Sequence, residues 1–325
     1  MIIVTGGSGF IGSALIWRLN QLGRSDIIVV DHFGENEKYK NLIPLKFIDV
    51  FDREYFGSMV QDGFFKSNKV ETIYHLGACS STTMQDFNYL LHNNYEYSKF
   101  LCGNAIDNNI RFIYASSAAT YGDGSNGYSD DESKIESLRP LNGYGYSKQL
   151  FDLWVKNNGF LDKVVGLKYF NVYGPNEYHK KDMRSVVSKS FDQIIETKKT
   201  KLFKSIVEEM GNGEQKRDFI YVKDAVEMTL FFGENKIVNG IYNIGTGQAN
   251  SFNSLVKPIF KTLGLKENIE YFEMPEILKN KYQSFTQADI SKIRKAGYNK
   301  EVMEISEAVT DYVSNYLNKE YSHLI

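Results

Sequence analysis

Met1-Ile-Ile-Val-Thr-Gly-Gly-Ser-Gly-Phe-Ile-Gly12 opens the chain. Ile2, Ile3 and Val4 form a short apolar run suited to a buried strand. Gly6, Gly7, Gly9 and Gly12 follow, and Phe10, Ile11, Leu15, Leu19 and Leu22 then recur at helical spacing. Strand, glycine turn, helix is the context in which Gly7-x-Gly9-x-x-Gly12 reads as a dinucleotide fingerprint. Glycines let bare backbone approach a pyrophosphate, and the helix N-terminus offers it unpaired N–H groups. Taken alone, the pattern reads equally well as a tight turn. The next strand tips the balance. Asp26-Ile-Ile-Val-Val-Asp31 ends in a carboxylate about 20 residues after the glycines, where a ribose-binding acid belongs.

Outward from there, apolar runs alternate with helical patterns. Leu45–Ile48 predicts a third strand, with Asp49 just beyond it as either an adenine contact or a cap, and Asp52 as the cap of the next helix. Val70–Leu76 predicts a fourth strand stopped by Gly77-Ala78, and a long helix follows over 87–108. Asn93 and Asn94 sit within it, as exposed polar residues or as hydrogen-bonding groups. Arg111–Ala115 and Lys163–Tyr169 predict two more strands, with Ser116-Ser117 at the end of the first. This rhythm predicts an α/β fold of Rossmann type, a doubly wound parallel sheet, with a smaller mixed α/β substrate-binding lobe. Residues 1–170, with returns near 217–250, form the expected dinucleotide-binding domain. The lobe takes 171–216 and 251–325.

Composition narrows the function. The 325 residues carry a net charge of -2 and are 42% hydrophobic, enough for a large core. A near-neutral chain with scattered lysines argues against a nucleic-acid binder. Two cysteines, Cys79 and Cys102, supply neither a disulfide framework nor a four-ligand zinc site, so no metal is expected. No apolar run nears the roughly 18 residues of a membrane span, and no basic leader precedes the first strand. A cytoplasmic protein is expected.

The chemistry gathers where strands end. Tyr144 and Lys148 stand four apart at a predicted helix start and share one face. A free tyrosine titrates near ~10, and a nearby ammonium is expected to lower it. Ser117 can steady the same substrate oxygen, so the three make a proton relay beside a hydride acceptor.

Gly6-Gly7-x-Gly9-x-x-Gly12, Ser117 and Tyr144-x-x-x-Lys148 resemble the motifs of the extended short-chain dehydrogenase/reductases. Gly77–Thr83, Tyr114–Gly122, Lys168–Pro175, Lys216–Phe219 and Tyr282–Asp289 are similar, more narrowly, to the ADP-heptose 6-epimerases among them. That resemblance implies an ADP-heptose substrate, a homo-oligomer, and NADP as cofactor with NAD possible. It implies that Gly6, Gly9, Phe10, Ile11, Gly12, Asp31, His32, Lys38 and Arg53 line the cofactor. Leu76, Gly77, Ala78, Cys79, Ser80, Asn93, Tyr144, Lys148, Val172 and Lys180 complete that lining. It assigns substrate contacts to Ser117, Asn171, Asp182, Lys189, Phe203, Arg217 and Tyr282, and the two bases to Tyr144 and Lys180. From its own surroundings, the polar run His179-Lys180-Lys181, Lys180 would read as a solvated loop residue. Asp182 and Lys189 stand where the family has Ser and His, Lys204-Ser205 replaces Glu-Gly, and Arg53 replaces Lys. Asp31 by itself favours NAD, whereas Lys38 and Arg53 suit a 2′-phosphate.

Three rival functions are open at this level. Another epimerase or a 4,6-dehydratase of the same superfamily is one class. Dehydratases place Asp-Glu after the serine or threonine, and Ala118-Ala119 stand there instead. A non-catalytic cofactor sensor is the other, and the intact Tyr-Lys pair argues against it.

Overall fold

A computed structural model describes residues 1–276 and 283–325. Its centre is a seven-stranded sheet in the order β11-β6-β5-β4-β1-β2-β3. The strands are β1 (Ile2–Thr5), β2 (Ile27–Asp31), β3 (Asp49–Asp52), β4 (Thr72–His75), β5 (Arg111–Ser117), β6 (Val164–Tyr169) and β11 (Gly240–Ile244). Every pairing among them is parallel. Side chains along the inner strands alternate between two cores. Ile2, Val4, Ile27 and Val29 pack with Leu15 and Leu19 of α1 (Phe10–Gln21) and Val226 of α8 (Val222–Glu234). Ile3, Ile28 and Val30 face the other way, onto Phe56, Leu101 and Phe151. Those belong to α2 (Arg53–Gln61), α5 (Tyr97–Asp107) and α6 (Gly143–Asn157). Burial on both faces explains why these strands read as unbroken apolar runs.

Three expectations need correction. The third strand is Asp49–Asp52, not Leu45–Ile48. It is the sheet edge, paired only through Ile28↔Asp49 to Asp31↔Asp52, and three of its four residues are exposed. Hydrophobicity therefore does not mark it, while the apolar Leu45 and Phe47 pack into the core from the preceding loop. The long helix runs from Phe87 to Asp107 as expected but is not α-helical throughout. After α4 (Phe87–Leu90), residues Leu91–Glu96 form a π-helical stretch before α5, and this turns Asn93 and Asn94 inward. The helix expected from Met183 starts at Val186, capped by the Ser185 side chain.

Asp52 does cap α2, accepting from the Glu54 N–H at 2.9 Å. Asp49 is not that cap, and its carboxylate accepts from the adjacent Val50 N–H at 2.8 Å. Beyond β6, three two-stranded ladders lie outside the main sheet: β7 (Asn171–Tyr173) with β10 (Phe219–Tyr221), β9 (Lys216–Arg217) with β12 (Asn250–Ser251), and β8 (Thr200–Phe203) with β13 (Ile269–Phe272). Of the expected returns to the sheet near 217–250, only β11 joins it.

Candidate active site

The glycine loop turns β1 into α1 through Gly6 at φ +67°. A Cβ on Gly6 would lie 2.6 Å from the Cα of Gly77, so this loop and the one after β4 meet backbone to backbone. Gly9 is the N-cap of α1 and no side chain caps it. A Cβ there would meet only Gly6 within 4 Å, its oxygen at 3.1 Å, so the space over the helix start is open. Uncapped N–H groups beneath open space suit a diphosphate.

Asp31 ends β2, almost wholly buried. One carboxylate oxygen accepts from the Ser8 N–H (2.9 Å) and Oγ (2.5 Å), the other from the His32 N–H (2.8 Å) and Lys38 Nζ (2.5 Å). The acid, Lys38 and the glycine loop are thus one unit. Arg53 starts α2, directly after the Asp52 that pairs with Asp31. Its guanidinium donates to Asn93 Oδ1 and Glu54, and stacks on Tyr97 with 5.5 Å to the ring centre. His32 stays largely exposed, its Nδ1 3.6 Å from Asp52. The carboxylate and two cations needed for either form of the adenosine ribose stand on one rim.

The loop Leu76–Ser80 is held by residues outside the expected site. Asn94 accepts from the Cys79 N–H (2.8 Å) and donates to the Cys79 carbonyl (3.0 Å) and to Ser147 Oγ (2.9 Å). Thr5 Oγ1 takes the Gly77 N–H at 3.2 Å and bonds His75 Nδ1 at 2.7 Å, whose Nε2 reaches Ser98 at 2.8 Å. Burial pushes the His75 imidazole down to about 3, so it is neutral and purely a link. The adjacent polar residues Asn93 and Asn94 are the sequence signal for this clamp, because paired asparagines inside a helix need partners when buried.

Lys148 is buried on α6 and donates to the Ala115 carbonyl at 2.9 Å. Burial pushes its ammonium down to about 8, with Asp152 opposing. The Ser117 hydroxyl acts on the Tyr144 phenol, and its Oγ accepts the Ala119 N–H at 3.1 Å. The expected lowering of the phenol by Lys148 is corrected here. The ammonium is turned to the β5 backbone, and desolvation raises Tyr144 while Ser117 partly offsets it. Beneath these residues lies a buried pair that sequence reading passed over. Lys168 Nζ reaches Asp152 at 2.6 Å and Thr120 at 2.7 Å, and Asp152 also accepts from Tyr114 (2.9 Å) and Ser116 (2.8 Å). A lysine in an otherwise apolar central strand was the available signal.

Lys180 comes from far along the chain, in a 3-10 segment, Tyr178–Met183. Its Nζ lies over the Phe10 ring, 5.2 Å from the centre, at the first residue of α1. Lys189 on α7 (Val186–Thr197) reaches the Asp182 carbonyl at 3.4 Å. Asn171, Val172 and Arg217 line one cavity of about 240 Å³ with Arg184, Ser185, Phe219 and Phe252. Phe203 is one step removed: Gln215, just before Lys216-Arg217, donates to its carbonyl at 3.5 Å. Lys204 pairs with Glu273 at 2.8 Å. Tyr282 lies outside the described residues. A larger hollow of about 790 Å³ lies between α9 (Phe252–Thr262) and the helix Ile305–Tyr312, lined by Lys257, Lys261, Glu307 and Asp311, and touches none of these groups.

A glycine-bound helix start, a Ser-Tyr-Lys group and a lysine over the helix start thus share the carboxyl rim of one parallel sheet. Residues 2–245 match the NAD dependent epimerase/dehydratase family. The chain belongs to that family. Among its relatives, the ADP-L-glycero-D-manno-heptose-6-epimerase of Nitratidesulfovibrio vulgaris is 49% identical over 324 residues, covering all of both chains. The protein of that name from Fusobacterium nucleatum is 45% identical over 335 aligned positions, again covering both chains fully. A crystal structure of the Helicobacter pylori ADP-L-glycero-D-manno-heptose-6-epimerase superposes with a TM-score of 0.79 at 28% identity, over 97% of this chain and 95% of that one. Seven parallel strands with helices on both faces are the architecture expected of this epimerase/dehydratase family member, whose dinucleotide is NAD-type. Among the described residues no helix is long and apolar enough to cross a membrane, and no cluster of three or more metal-ligating side chains occurs.

Proposed function

We propose that the protein interconverts ADP-D-glycero-β-D-manno-heptose and ADP-L-glycero-β-D-manno-heptose at C6″, in the supply of heptose for lipopolysaccharide core, with NADP held throughout. The observation that carries this is the placement of two independent proton-handling groups at one dinucleotide rim: Tyr144 with Ser117 at the end of β5, and Lys180 over Phe10 at the start of α1. A bound nicotinamide supplies a reversible hydride acceptor. Everything else falls to the chain. The carbon to be inverted bears a hydroxyl and no acidic hydrogen, so a base must remove the O6″ proton as the hydride leaves. Tyr144 serves one epimer in this way and Lys180 the other, because the flat carbonyl shows its oxygen in two orientations. Ser117 holds that oxygen. Lys148, one helical turn from Tyr144 and bonded to the Ala115 carbonyl, is cationic at neutral pH and lines the cofactor. The cavity beside Asn171 and Arg217 takes the nucleotide diphosphate, with Arg184 and Arg217 as its cations. The substrate-binding lobe is then 171–216 with 251–325; the family likeness supports a homo-oligomer, and the sequence reading supports a cytoplasmic location.

Incubation with ADP-D-glycero-D-manno-heptose in deuterated water, without added cofactor, tests the function. NMR is expected to show the L-glycero epimer with no deuterium at C6″, since the hydride returns directly. A dehydrated product, or deuterium at C6″, overturns the reading.

NADP is preferred over NAD because Lys38 already neutralises Asp31, and Arg53 follows Asp52, the strand partner of Asp31. Cofactor released by denaturation is expected to carry a 2′-phosphate. A phosphate-free dinucleotide would return the Asp31 carboxylate to its usual ribose role.

A further inference from the structure

Glu177 is completely buried, three residues before Lys180. One carboxylate oxygen accepts from Ser185 Oγ (2.6 Å), from the Tyr312 hydroxyl (3.0 Å) and, at 3.4 Å, from the Gly174 N–H. The other accepts from the Ser185 N–H at 2.6 Å. Among the described residues no ammonium or guanidinium lies within 4.0 Å of it. Each oxygen thus takes one backbone N–H, and the two hydroxyls share the first. A glutamine could accept from the Ser185 N–H and donate to the two hydroxyls, but its NH2 group would then face the Gly174 N–H, so a carboxylate suits all four donors better. The buried carboxylate also brings a negative charge to the start of the turn that carries Lys180.

The residues around it are anchored to three parts of the fold. Asn176, at φ +76°, donates to Ser13 of α1 (3.0 Å), accepts from the Leu324 N–H (3.0 Å), and offers its carbonyl to Asn41 (3.0 Å). Tyr178 donates to the Ser322 carbonyl at 2.8 Å. The Lys180 N–H itself donates to the Glu177 carbonyl at 3.0 Å. We propose that Glu177 is a positioning residue for Lys180: its carboxylate ties the Lys180 loop to the start of α7 and to the helix Ile305–Tyr312, and its negative charge stands at the start of the 3-10 turn that carries Lys180. The charged groups acting on Lys180 are Glu177 from its own loop and Lys189 from α7, with His179 beside it, kept neutral by burial. Desolvation and Lys189 both favour the neutral amine, and Glu177 opposes them. This charge balance leaves Lys180 able both to take and to return a proton.

The inference rests on Lys180 acting as one of the two bases, and its test separates the two claims. Competitive labelling with trace acetic anhydride across pH, quantified on the Lys180 peptide by mass spectrometry, reads the proton affinity of that one amine in the free protein. In Glu177→Gln the midpoint is expected to fall by on the order of one pH unit, because removal of a nearby anion disfavours the ammonium. The acid limb of kcat against pH moves down with it. Tyr312→Phe removes one hydrogen bond and keeps the charge, so its midpoint stays at the parent value. If Glu177→Gln does not fold, Glu177→Asp, with the charge one methylene farther back, gives a smaller shift in the same direction. An unmoved midpoint in whichever of these two folds, or an equal shift in Tyr312→Phe, overturns the inference. Lys180→Ala turning over at the parent rate would instead overturn the role of Lys180 and leave the labelling result standing.

Discussion

Lys180→Ala is expected to lower kcat by about 10²- to 10⁴-fold while the purified protein keeps its dinucleotide. The side chain lies over Phe10 at the cofactor rim, yet it makes no part of the glycine loop or of the Asp31 unit that would hold the dinucleotide. Its loss removes one proton-handling group and one ring contact, the latter worth about 0.5–2 kcal/mol. Tyr144→Phe is expected to give a loss of similar size from the other side. Either base alone leaves one epimer without a partner for its O6″ proton, so each substitution stops the full cycle. Epimer formation followed by NMR, alongside dinucleotide content after denaturation, checks both. Parent turnover in Lys180→Ala would rule out two bases, and loss of the dinucleotide would move Lys180 from proton transfer to cofactor binding.

Gly12→Ala is expected to yield a protein that purifies without dinucleotide and is about 1–3 kcal/mol less stable. The added Cβ would sit 2.2 Å from the Gly6 oxygen, 2.8 Å from the Gly6 carbonyl carbon and 2.9 Å from the Gly7 Cα. All three are backbone, so no side chain can swing aside. Either the start of α1 lifts off the loop or the loop lifts off Gly77. Gly9→Ala makes the contrast, because its Cβ meets only Gly6 and otherwise enters open space. That variant is expected to lose dinucleotide, as a filled cradle should, and to match the stability of the dinucleotide-free parent. Chemical denaturation and cofactor content measured on both variants separate packing from binding. Equal stability loss in the two would show that Gly9 is a structural glycine like Gly12.

The parallel sheet was legible because burial on both faces writes each inner strand as an apolar run, and the glycine turn announces the first crossover. The motifs also carried the family, since Gly6 to Gly12, Ser117 and Tyr144 to Lys148 are local patterns. The edge strand Asp49–Asp52 was not legible, because one-sided pairing asks nothing of its side chains. Composition and periodicity likewise gave Lys180 no distinction from its exposed neighbours, and only the family likeness pointed to it.

The order of elements, the glycine turn and the positions of Ser117, Tyr144 and Lys148 were thus determined by the sequence itself, because each depends on residues within a turn or two of one another. Tertiary structure alone brought Lys180 over Phe10, closed Asn94 onto Cys79 and Ser147, and set Lys168 against Asp152. Those partners stand on different elements of the fold. Their meeting depends on how strands stack and helices pack, which no short window of residues encodes.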